Sequence, residues 1–514
     1  MDGVDRSTAT GGARFARVPI LNLVTGAVSL PASLYVCAAL VLGIVQFNDV
    51  GYPDSAILLR VAHTATTGEV YPDYQRPPFL ISPYGPLTYV LQALPYRLAS
   101  GLGWDPLTAI RFSVAAAFLC CVATVALLTW RVTASRVATT QAGLLATALS
   151  PLATWTTQLR GDLWAVLFSL GAMGLMLRQP TLRSVAAAAL LAGMAMVVKQ
   201  TFATAAIAGM IWLLVRRHYS LARLWVGMVI AAVAGGYGLT FWREPGMLDH
   251  VMALSDPIID VEGAWRLFFR VAAQPVFPLS VCGALVALAM RRAELMLFTL
   301  FWVLAWALAL VTSLQVGANV NYFWEPLLAS TAMAAIGLSF VERRASPSGK
   351  ILLAAMLLWY ASDPVAVAVR NFRQTYTAIA TVEHRRSQWH AFVSTLRGQR
   401  LLSNVPAISV LSRVPEVPDP YLNTVLEMTG KWSYERIIDQ VERREYDYVI
   451  ARTLDGRYRG IPLWSNSLQA SIRSAYTPLC EFDGMHVWVP RTYVLDERIT
   501  PVRPPGCFAI ASKR

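Results

Sequence analysis

Long apolar runs recur through the first 369 residues of this 514-residue chain, and they restrict the folds open to it more than any other feature. The first run extends from Val18 to Phe47, and the last from Ile351 to Val369. A helix of roughly 20 predominantly apolar residues spans a bilayer, and only helices and closed barrels can do so. Since 55% of the residues are hydrophobic and only 15% are charged, the sequence predicts a polytopic α-helical membrane protein with about eleven transmembrane helices.

Basic residues between the runs predict how the helices are oriented. The run Pro86–Leu102 is long enough to span, but Pro95 and Arg97 interrupt it. If this run lies on the membrane surface, the short basic loops all fall on the side of the N-terminal arginines, as the positive-inside rule requires. These loops contain Arg131/Arg136, Arg178/Arg183, Arg216/Arg217/Arg223, Arg291/Arg292 and Arg343/Arg344/Lys350. The N-terminus is therefore predicted to be cytoplasmic and the C-terminal region extracytoplasmic.

The same rule divides the run Ser184–Val215 into a hairpin that turns at Lys199-Gln200, because one long helix would export the arginines that follow it. The run Ala138–Gln158 is interpreted as a single span. The net charge of +13 arises largely from the cytoplasmic loops, so it does not indicate a nucleic-acid partner.

The composition changes at about residue 370, where the apolar runs shorten and charged residues return. Ser433–Glu445 has the spacing of an amphipathic helix, and Tyr446–Ile450 follows it as a predicted strand. We therefore expect a transmembrane module over residues 1–369 and a small extracytoplasmic α/β domain over residues 370–514.

Two cysteines, Cys480 and Cys507, lie outside the apolar runs. The predicted topology places both in a compartment that permits disulfides. The sequence therefore predicts a disulfide between them.

One loop is much longer than a connection between two membrane helices needs to be. This first loop, residues 47–108, begins at the end of the first apolar run and contains acids, arginines and several clusters of tyrosine, proline and glycine. Connections in compact domains are usually short, and long loops commonly carry function. The predicted topology places the acids of this loop, together with Asp162 and Glu325, on the extracytoplasmic side.

Several motifs in these loops carry a family resemblance. Asn48-Asp-Val-Gly-Tyr, Gly68-Glu-Val-Tyr-Pro-Asp and Ser82-Pro-Tyr-Gly-Pro-Leu-Thr-Tyr resemble the first outer loop of the GT-C class of membrane glycosyltransferases. More specifically, they resemble the bacterial relatives of dolichyl-phosphate-mannose–protein mannosyltransferases, the glycosyltransferase family 39-like enzymes. Arg160-Gly-Asp, Val198-Lys-Gln-Thr and Gly317-Ala-Asn-Val-Asn-Tyr-Phe-Trp-Glu are similar to later loops of that class.

The resemblance implies a GT-C fold in a bacterial plasma membrane and an inverting transfer of a hexose or pentose. The donor would be a sugar on a polyprenyl phosphate, and the acceptor an extracytoplasmic glycan, lipid or protein. A ligase or polymerase of lipid-linked glycans is a chemically close alternative. A transporter or flippase is a more distant one, because the runs lack the central charges and matched halves typical of transporters.

Three carboxylates are candidates for catalysis. The resemblance implies a first-loop base, and Asp49 lies directly after the first apolar run, although a solvated helix-end residue would occupy the same place. Asp54 is a second candidate, but it also precedes a helical stretch whose N-terminus a carboxylate would stabilise. Asp162 is interpreted as an acid that orients the acceptor or a metal ion, or as an ordinary acid at a helix N-terminus. No cofactor is indicated, and a divalent cation remains open.

A second set of side chains is predicted to bind the donor, because a leaving phosphate needs cationic partners and sugar hydroxyls need amides. Some members have simpler interpretations. Lys199 could extend to the membrane interface, Tyr322 could belong to an aromatic belt, and the Arg266/Arg270 pair could contact lipid headgroups. His63 and His250 are interpreted as incidental. The predicted donor-binding residues are Tyr84, Arg160, Lys199, Gln200, Arg266, Arg270, Asn319, Asn321 and Tyr322.

Overall fold

The computed structural model describes residues 19–47, 52–177, 180–253, 258–413, 419–458, 460–492 and 504–509. A helical bundle occupies the first three quarters of the chain and leads into a smaller domain built on a sheet. The helices up to the middle of the bundle are α1 Ile20–Val45, α2 Tyr52–Thr67, α3 Pro86–Gly101, α4 Pro106–Thr133, α5 Arg136–Thr147, α6 Asp162–Met176, α7 Leu182–Val198, α8 Thr204–Val215 and α9 Tyr219–Arg243. They are followed by α10 Met247–Ala253, α11 Val261–Ala272, α12 Val276–Met290, α13 Ala293–Thr312, α14 Trp324–Arg344 and α15 Pro347–Thr395.

Within the described ranges, six helices are long and apolar enough to cross a membrane, and a seventh crossing arises if the bent pair α11–α12 counts as one. Helices α6, α7 and α8 are apolar but shorter. The prediction of a polytopic helical membrane protein is therefore confirmed, while the count of eleven spans and their orientation stay predictions. The hairpin at Lys199-Gln200 is confirmed, since α7 ends at Val198 and α8 begins at Thr204.

One predicted span is not a continuous helix. The run Ala138–Gln158 forms the end of α5, which stops at Thr147, and a 3-10 helix over Ser150–Trp155. Pro151 explains the break, because proline has no N–H to donate and its ring clashes with the preceding turn of a helix.

Helix α14 forms the centre of the bundle. Every residue from Trp324 to Ser339 is buried, so this helix contacts protein on all sides, against α4, α5, α12 and α13. Small residues permit this close packing. A Cβ placed on Gly283 of α12 would lie 1.9 Å from the carbonyl oxygen of Met333, a distance that only glycine avoids.

Helix α15 connects the bundle to the C-terminal domain. It is 49 residues long and packs against α1, and its last turns bury Trp389, Phe392 and Val393 against the C-terminal sheet. The predicted domain boundary at residue 370 falls inside this continuous helix. The division into two domains therefore stays a prediction.

The C-terminal domain has α/β architecture, as predicted. A five-stranded sheet has the order β1-β2-β6-β5-β7, with β1 and β2 parallel and the other pairs antiparallel. The disulfide between Cys480 and Cys507 is present, which confirms that prediction. The elements are β1 Leu401–Ser403, α16 Pro406–Leu411, α17 Pro420–Met428, α18 Glu435–Glu442, β2 Tyr448–Ala451, β3 Arg457–Tyr458, β4 Ile461–Pro462, α19 Asn466–Ala475, β5 Tyr476–Phe482, β6 Met485–Pro490 and β7 Phe508–Ala509.

The first loop lies between the bundle and the C-terminal domain. Phe79 and Ile81 of the loop pack into the same buried cluster as Trp432 and Tyr434. The loop is therefore covered by protein on the side that faces away from the bundle.

Candidate active site

A cleft of about 370 Å³ lies where the bundle, the first loop and the C-terminal domain meet. All three parts contribute to its wall, and no single element could form it alone. The lining side chains include Arg60, Tyr71, Ser82 and Tyr84 from the first loop, Arg160, Lys199, Gln200, Tyr237, His250, Gln315 and Tyr322 from the bundle, and Tyr421 and Tyr458 from the C-terminal domain.

A buried ion pair lies beside the cleft, and its Lys199 is part of the cleft wall. The Nζ atom of Lys199 lies 2.7 Å from Oδ1 of Asp162, and both side chains are almost fully buried. The same oxygen accepts a hydrogen bond of 3.1 Å from Nδ2 of Asn321. Burial works to lower the pKa of Lys199, but Asp162, Tyr322 and Tyr84 together outweigh it, and the pKa lies above its ordinary value. The ammonium group is therefore charged at neutral pH, and it faces the cleft.

Aromatic rings surround this ammonium group. Its nitrogen lies 4.2 Å from the centre of the Tyr322 ring and 5.2 Å from that of Tyr84. Such rings attract a cation through their π-electrons. They therefore hold Lys199 in place without using its remaining N–H donors.

Arg160 provides a second cation in the cleft. Its guanidinium lies 5.0 Å from the centre of the Trp155 ring, and Nη1 donates a hydrogen bond of 3.3 Å to the hydroxyl of Tyr84. Burial works to lower the pKa of Arg160, but the oxygens of Tyr84 and Asp162 keep it above its ordinary value. Its Nε is buried and has no hydrogen-bond partner among the described residues. A buried donor without a partner is costly, and a bound anion would satisfy it.

Close backbone packing brings these charged residues together. Gly161, between Arg160 and Asp162, lies so near α3 that a Cβ there would be 2.3 Å from Oγ1 of Thr88. That hydroxyl donates a hydrogen bond of 2.6 Å to the carbonyl of Val198, directly before Lys199. The position of Asp162 at the start of α6 also suits its negative charge, since helix N-termini carry partial positive charge.

A buried ion pair also connects the first loop to the C-terminal domain. Nη2 of Arg60 lies 2.7 Å from Oδ2 of Asp419, and neither side chain is exposed beyond 1%. Arg60 also donates to the carbonyls of Ala56 and Ile81. It lines the cleft, but its guanidinium is used to hold α2, the first loop and the start of α17 together.

Several solved structures are similar in fold to this chain over most of its length. ArnT from Cupriavidus metallidurans bound to undecaprenyl phosphate matches with a TM-score of 0.60 and 13% identity, over 90% of this chain and 98% of that one. Its apo structure matches with a TM-score of 0.58 and 13% identity, over 89% and 97%. Archaeal oligosaccharyltransferase AglB from Archaeoglobus fulgidus, in complex with an inhibitory peptide and a dolichol-phosphate, matches with a TM-score of 0.51 and 12% identity, over 91% and 75%. The chain has the GT-C fold.

Structural similarity, and not overall sequence similarity, shows this GT-C fold. Neither a protein-family model nor a curated protein sequence matches the chain. At 12–13% identity the structural matches establish the fold and not the reaction. The chemistry has to be argued from the cleft itself.

Most of the predicted donor-binding residues meet in this cleft of the GT-C fold. Tyr84, Arg160, Lys199, Gln200 and Tyr322 line it. Asn321 lies one layer behind, on Asp162. The remaining three are elsewhere: the side chain of Asn319 caps the 3-10 helix Val320–Phe323, and Arg266 and Arg270 lie on the exposed side of α11.

The two first-loop acids have different outcomes. Asp49 lies outside the described residues, so its role as the catalytic base stays a prediction. Asp54 is buried in an ion pair, with Oδ2 at 2.6 Å from Nη2 of Arg111 and Oδ1 accepting 2.8 Å from the backbone N–H of Leu159. It does not line the cleft. Both of its oxygens serve to anchor α2, so the structure gives Asp54 a structural position.

The sequence provides no signal for several cleft residues. Tyr421 and Tyr458 come from the C-terminal domain, more than 330 residues after Tyr84 of the first loop, with ring centres 5.2 Å apart. Nothing in their local sequence distinguishes them from core tyrosines. No group of three or more His, Cys, Asp or Glu side chains that could hold a metal occurs in the part of the chain that the structure describes. The question of a divalent cation therefore stays open.

His250, interpreted from the sequence as incidental, connects α10 to the first loop. Its Nδ1 accepts a hydrogen bond of 2.9 Å from the backbone N–H of Ser82, so the proton is on Nε2, which donates 2.7 Å to the carbonyl of Pro72. Both ring nitrogens are thus satisfied only in the neutral form. Burial lowers the pKa of His250 to about 4, and the charge of Arg60 contributes in the same direction.

We expect this histidine to make the protein acid-sensitive. Because the folded pKa lies below the ordinary 6.5, the unfolded chain binds the proton more readily, and stability is lost as the pH falls from 6.5 toward 4. At pH 5 the loss is about 2 kcal/mol. The thermal unfolding midpoints of wild type and His250→Gln are measured at pH 7.5 and pH 5. The drop in midpoint between the two pH values should be smaller for the variant. His390→Gln, on the exposed surface of α15, is the control, and equal differences in all three proteins would contradict the prediction.

Proposed function

We propose that this protein is an inverting glycosyltransferase that moves a sugar from a polyprenyl phosphate to an acceptor at the membrane surface. The observation that carries the proposal is the pair of buried cations, Lys199 and Arg160, at the wall of one cleft in a GT-C fold. The related folds of ArnT and AglB were solved with undecaprenyl phosphate and dolichol-phosphate, respectively. A donor of the same chemical class fits the charge of this cleft.

The two cations suit a phosphate leaving group. Lys199 has three N–H donors, and one of them is directed at Asp162. The buried Nε of Arg160 has no hydrogen-bond partner among the described residues. As the bond from the anomeric carbon to the phosphate oxygen breaks, negative charge increases on the phosphate. Donors that are already oriented stabilise that charge without reorganisation.

The acceptor hydroxyl needs a base, and we propose Asp49 for this role. The carboxylate takes the hydroxyl proton while the oxygen attacks the anomeric carbon from the side opposite the phosphate, which inverts the configuration. Asp162 holds Lys199 through Oδ1. Its Oδ2 is buried without a described partner and is the atom that would contact an acceptor or a divalent ion.

The C-terminal domain covers the cleft on the side away from the bundle, through Tyr421, Leu422 and Tyr458. We propose that it is extracytoplasmic and assists acceptor binding, as its position over the cleft suggests. We further propose a bacterial plasma-membrane location with a cytoplasmic N-terminus.

The proposal is tested with the purified full-length protein in lipid nanodiscs. We expect slow hydrolysis of polyprenyl-phosphate hexoses or pentoses, faster transfer when the right acceptor is added, and inhibition by polyprenyl phosphate. Asp49→Asn should bind donor without hydrolysing it. Activity confined to pyrophosphate-linked oligosaccharides would favour a ligase or polymerase, and lipid translocation without any hydrolysis would favour a flippase.

A further inference from the structure

Helix α11 has three distinct faces. Ala264, Leu267 and Val271 are buried against the bundle. A second stripe at a spacing of four residues exposes Val261, Trp265 and Phe269, with 45% of Trp265 and 64% of Phe269 accessible. A third stripe, beside the second, exposes Glu262, Arg266 and Arg270. A helix that presents adjacent aromatic and cationic stripes is typical of one that lies in a membrane interface.

The orientation of α11 agrees with this interpretation. It meets α12 at an angle of 77° across a break of a few residues, and the two helices are long and apolar enough for a membrane crossing only when taken together. If α12 crosses the bilayer, α11 runs nearly parallel to the membrane plane. Trp265 also packs against Phe268 and Phe269, so the aromatic stripe is rigid.

The cationic stripe has no strong partner among the described residues. Nε of Arg266 lies 3.8 Å from Oε1 of Glu262, and both side chains are more than 70% exposed. Exposed pairs of this kind contribute little, so the guanidinium remains available. Arginine matches the geometry of a phosphate with two parallel N–H donors.

We propose that α11 lies in the headgroup region of the bilayer, with Trp265 and Phe269 inserted, and that Arg266 and Arg270 bind the phosphates of anionic phospholipids. This differs from the sequence-based prediction that the two arginines bind the donor. The arginines lie outside the cleft wall, and their exposure suits an abundant lipid better than a substrate held in an enclosed cleft.

The helix is connected to the cleft by backbone hydrogen bonds. Directly before α11, Asp260 N–H donates 2.7 Å to the carbonyl of Leu314, and Val316 N–H donates 2.8 Å to the carbonyl of Ile258. The segment Gln315–Gly317 is part of the cleft wall. Lipid headgroups on α11 would therefore lie beside the cleft wall.

Photo-crosslinking of the full chain tests the lipid contact directly. A photoreactive phenylalanine at position 269 is placed in nanodiscs of phosphatidylcholine mixed with phosphatidylglycerol, and captured lipids are identified by mass spectrometry. We expect lipid capture at position 269, enriched in phosphatidylglycerol, and none from the same group at Arg443 in the C-terminal domain. Absence of captured lipid at position 269 would overturn the proposal, whatever the outcome of transfer assays.

Charge variants then test the two arginines. Each basic residue near an anionic surface contributes about 1 kcal/mol, so Arg266→Gln and Arg270→Gln should each lower the enrichment in phosphatidylglycerol roughly fivefold while lipid capture persists. Arg443→Gln is the matched control, because Arg443 pairs with Asp439 at the same i, i+4 spacing and is similarly exposed. Unchanged enrichment in the double variant would overturn the proposal. The proposal would also be overturned if a small excess of polyprenyl phosphate, added before irradiation, prevented capture of phosphatidylglycerol. The arginines would then be assigned to donor binding.

Discussion

The double variant Lys199→Met/Asp162→Asn is expected to bind polyprenyl phosphate on the order of 100-fold more weakly than wild type while remaining folded. Removing one partner of a buried charged contact costs a binding partner about 2–5 kcal/mol. The double change removes both charges of the buried pair, so neither member is left charged without the other. Binding is measured with the purified proteins in neutral nanodiscs, beside their thermal unfolding midpoints.

The single variants separate the charge on Lys199 from the integrity of the pair. Lys199→Met alone leaves the buried carboxylate of Asp162 with only Asn321 as a described polar partner, and breaking a buried pair in this way costs about 3–5 kcal/mol. We therefore expect a lower unfolding midpoint for the single variant than for the double. If the double variant is stable and binds polyprenyl phosphate as tightly as wild type does, Lys199 does not contact the donor phosphate.

Asp49→Asn is expected to lower the transfer rate by about 10²–10⁴-fold while donor affinity and stability stay close to those of wild type. This is the usual contribution of general-base catalysis, and asparagine keeps the volume of the side chain but cannot accept the proton. Transfer, donor binding and thermal unfolding are measured on the same reconstituted preparation.

Asp54→Asn is the matched comparison, five residues further along the same loop. The substitution removes the carboxylate that pairs with Arg111, a side chain with no exposed surface. We therefore expect a marked loss of stability. The two variants therefore differ in kind, one inactive and stable and the other unstable. A stable but inactive Asp54→Asn beside an active Asp49→Asn would assign the base to Asp54. Full activity of the Asn variants of Asp49, Asp54 and Asp162 would contradict the glycosyltransferase proposal.

Some of this arrangement could be predicted because it depends on local patterns. Apolar runs separated by basic loops predict membrane helices, and charge sidedness alone located the turn at Lys199-Gln200 between α7 and α8. Two cysteines outside the membrane runs were enough to predict the disulfide Cys480–Cys507. These features could be predicted because the hydrophobicity and the charge of each segment act on that segment separately.

Other features could not be predicted, since they depend on which segments meet. A carboxylate beside a membrane helix has the same sequence context whether it faces a cleft or an arginine. Asp54 meets Arg111 across 57 residues, and Arg60 meets Asp419 across 359. The exposed position of Arg266 and Arg270 likewise follows from how α11 packs, not from their spacing.

The sequence by itself determined the class of this protein, its apolar helices, its α/β domain and the two cations of the cleft, Arg160 and Lys199. Only the tertiary structure decided how those residues are used. In the folded protein Lys199 pairs with Asp162 across 37 residues. Asp54 pairs with Arg111 and does not line the cleft, whereas Tyr421 and Tyr458 do. The physical reason is that hydrophobicity and net charge act along the chain, whereas a buried ion pair or a cleft wall exists only when distant segments pack together and exclude water.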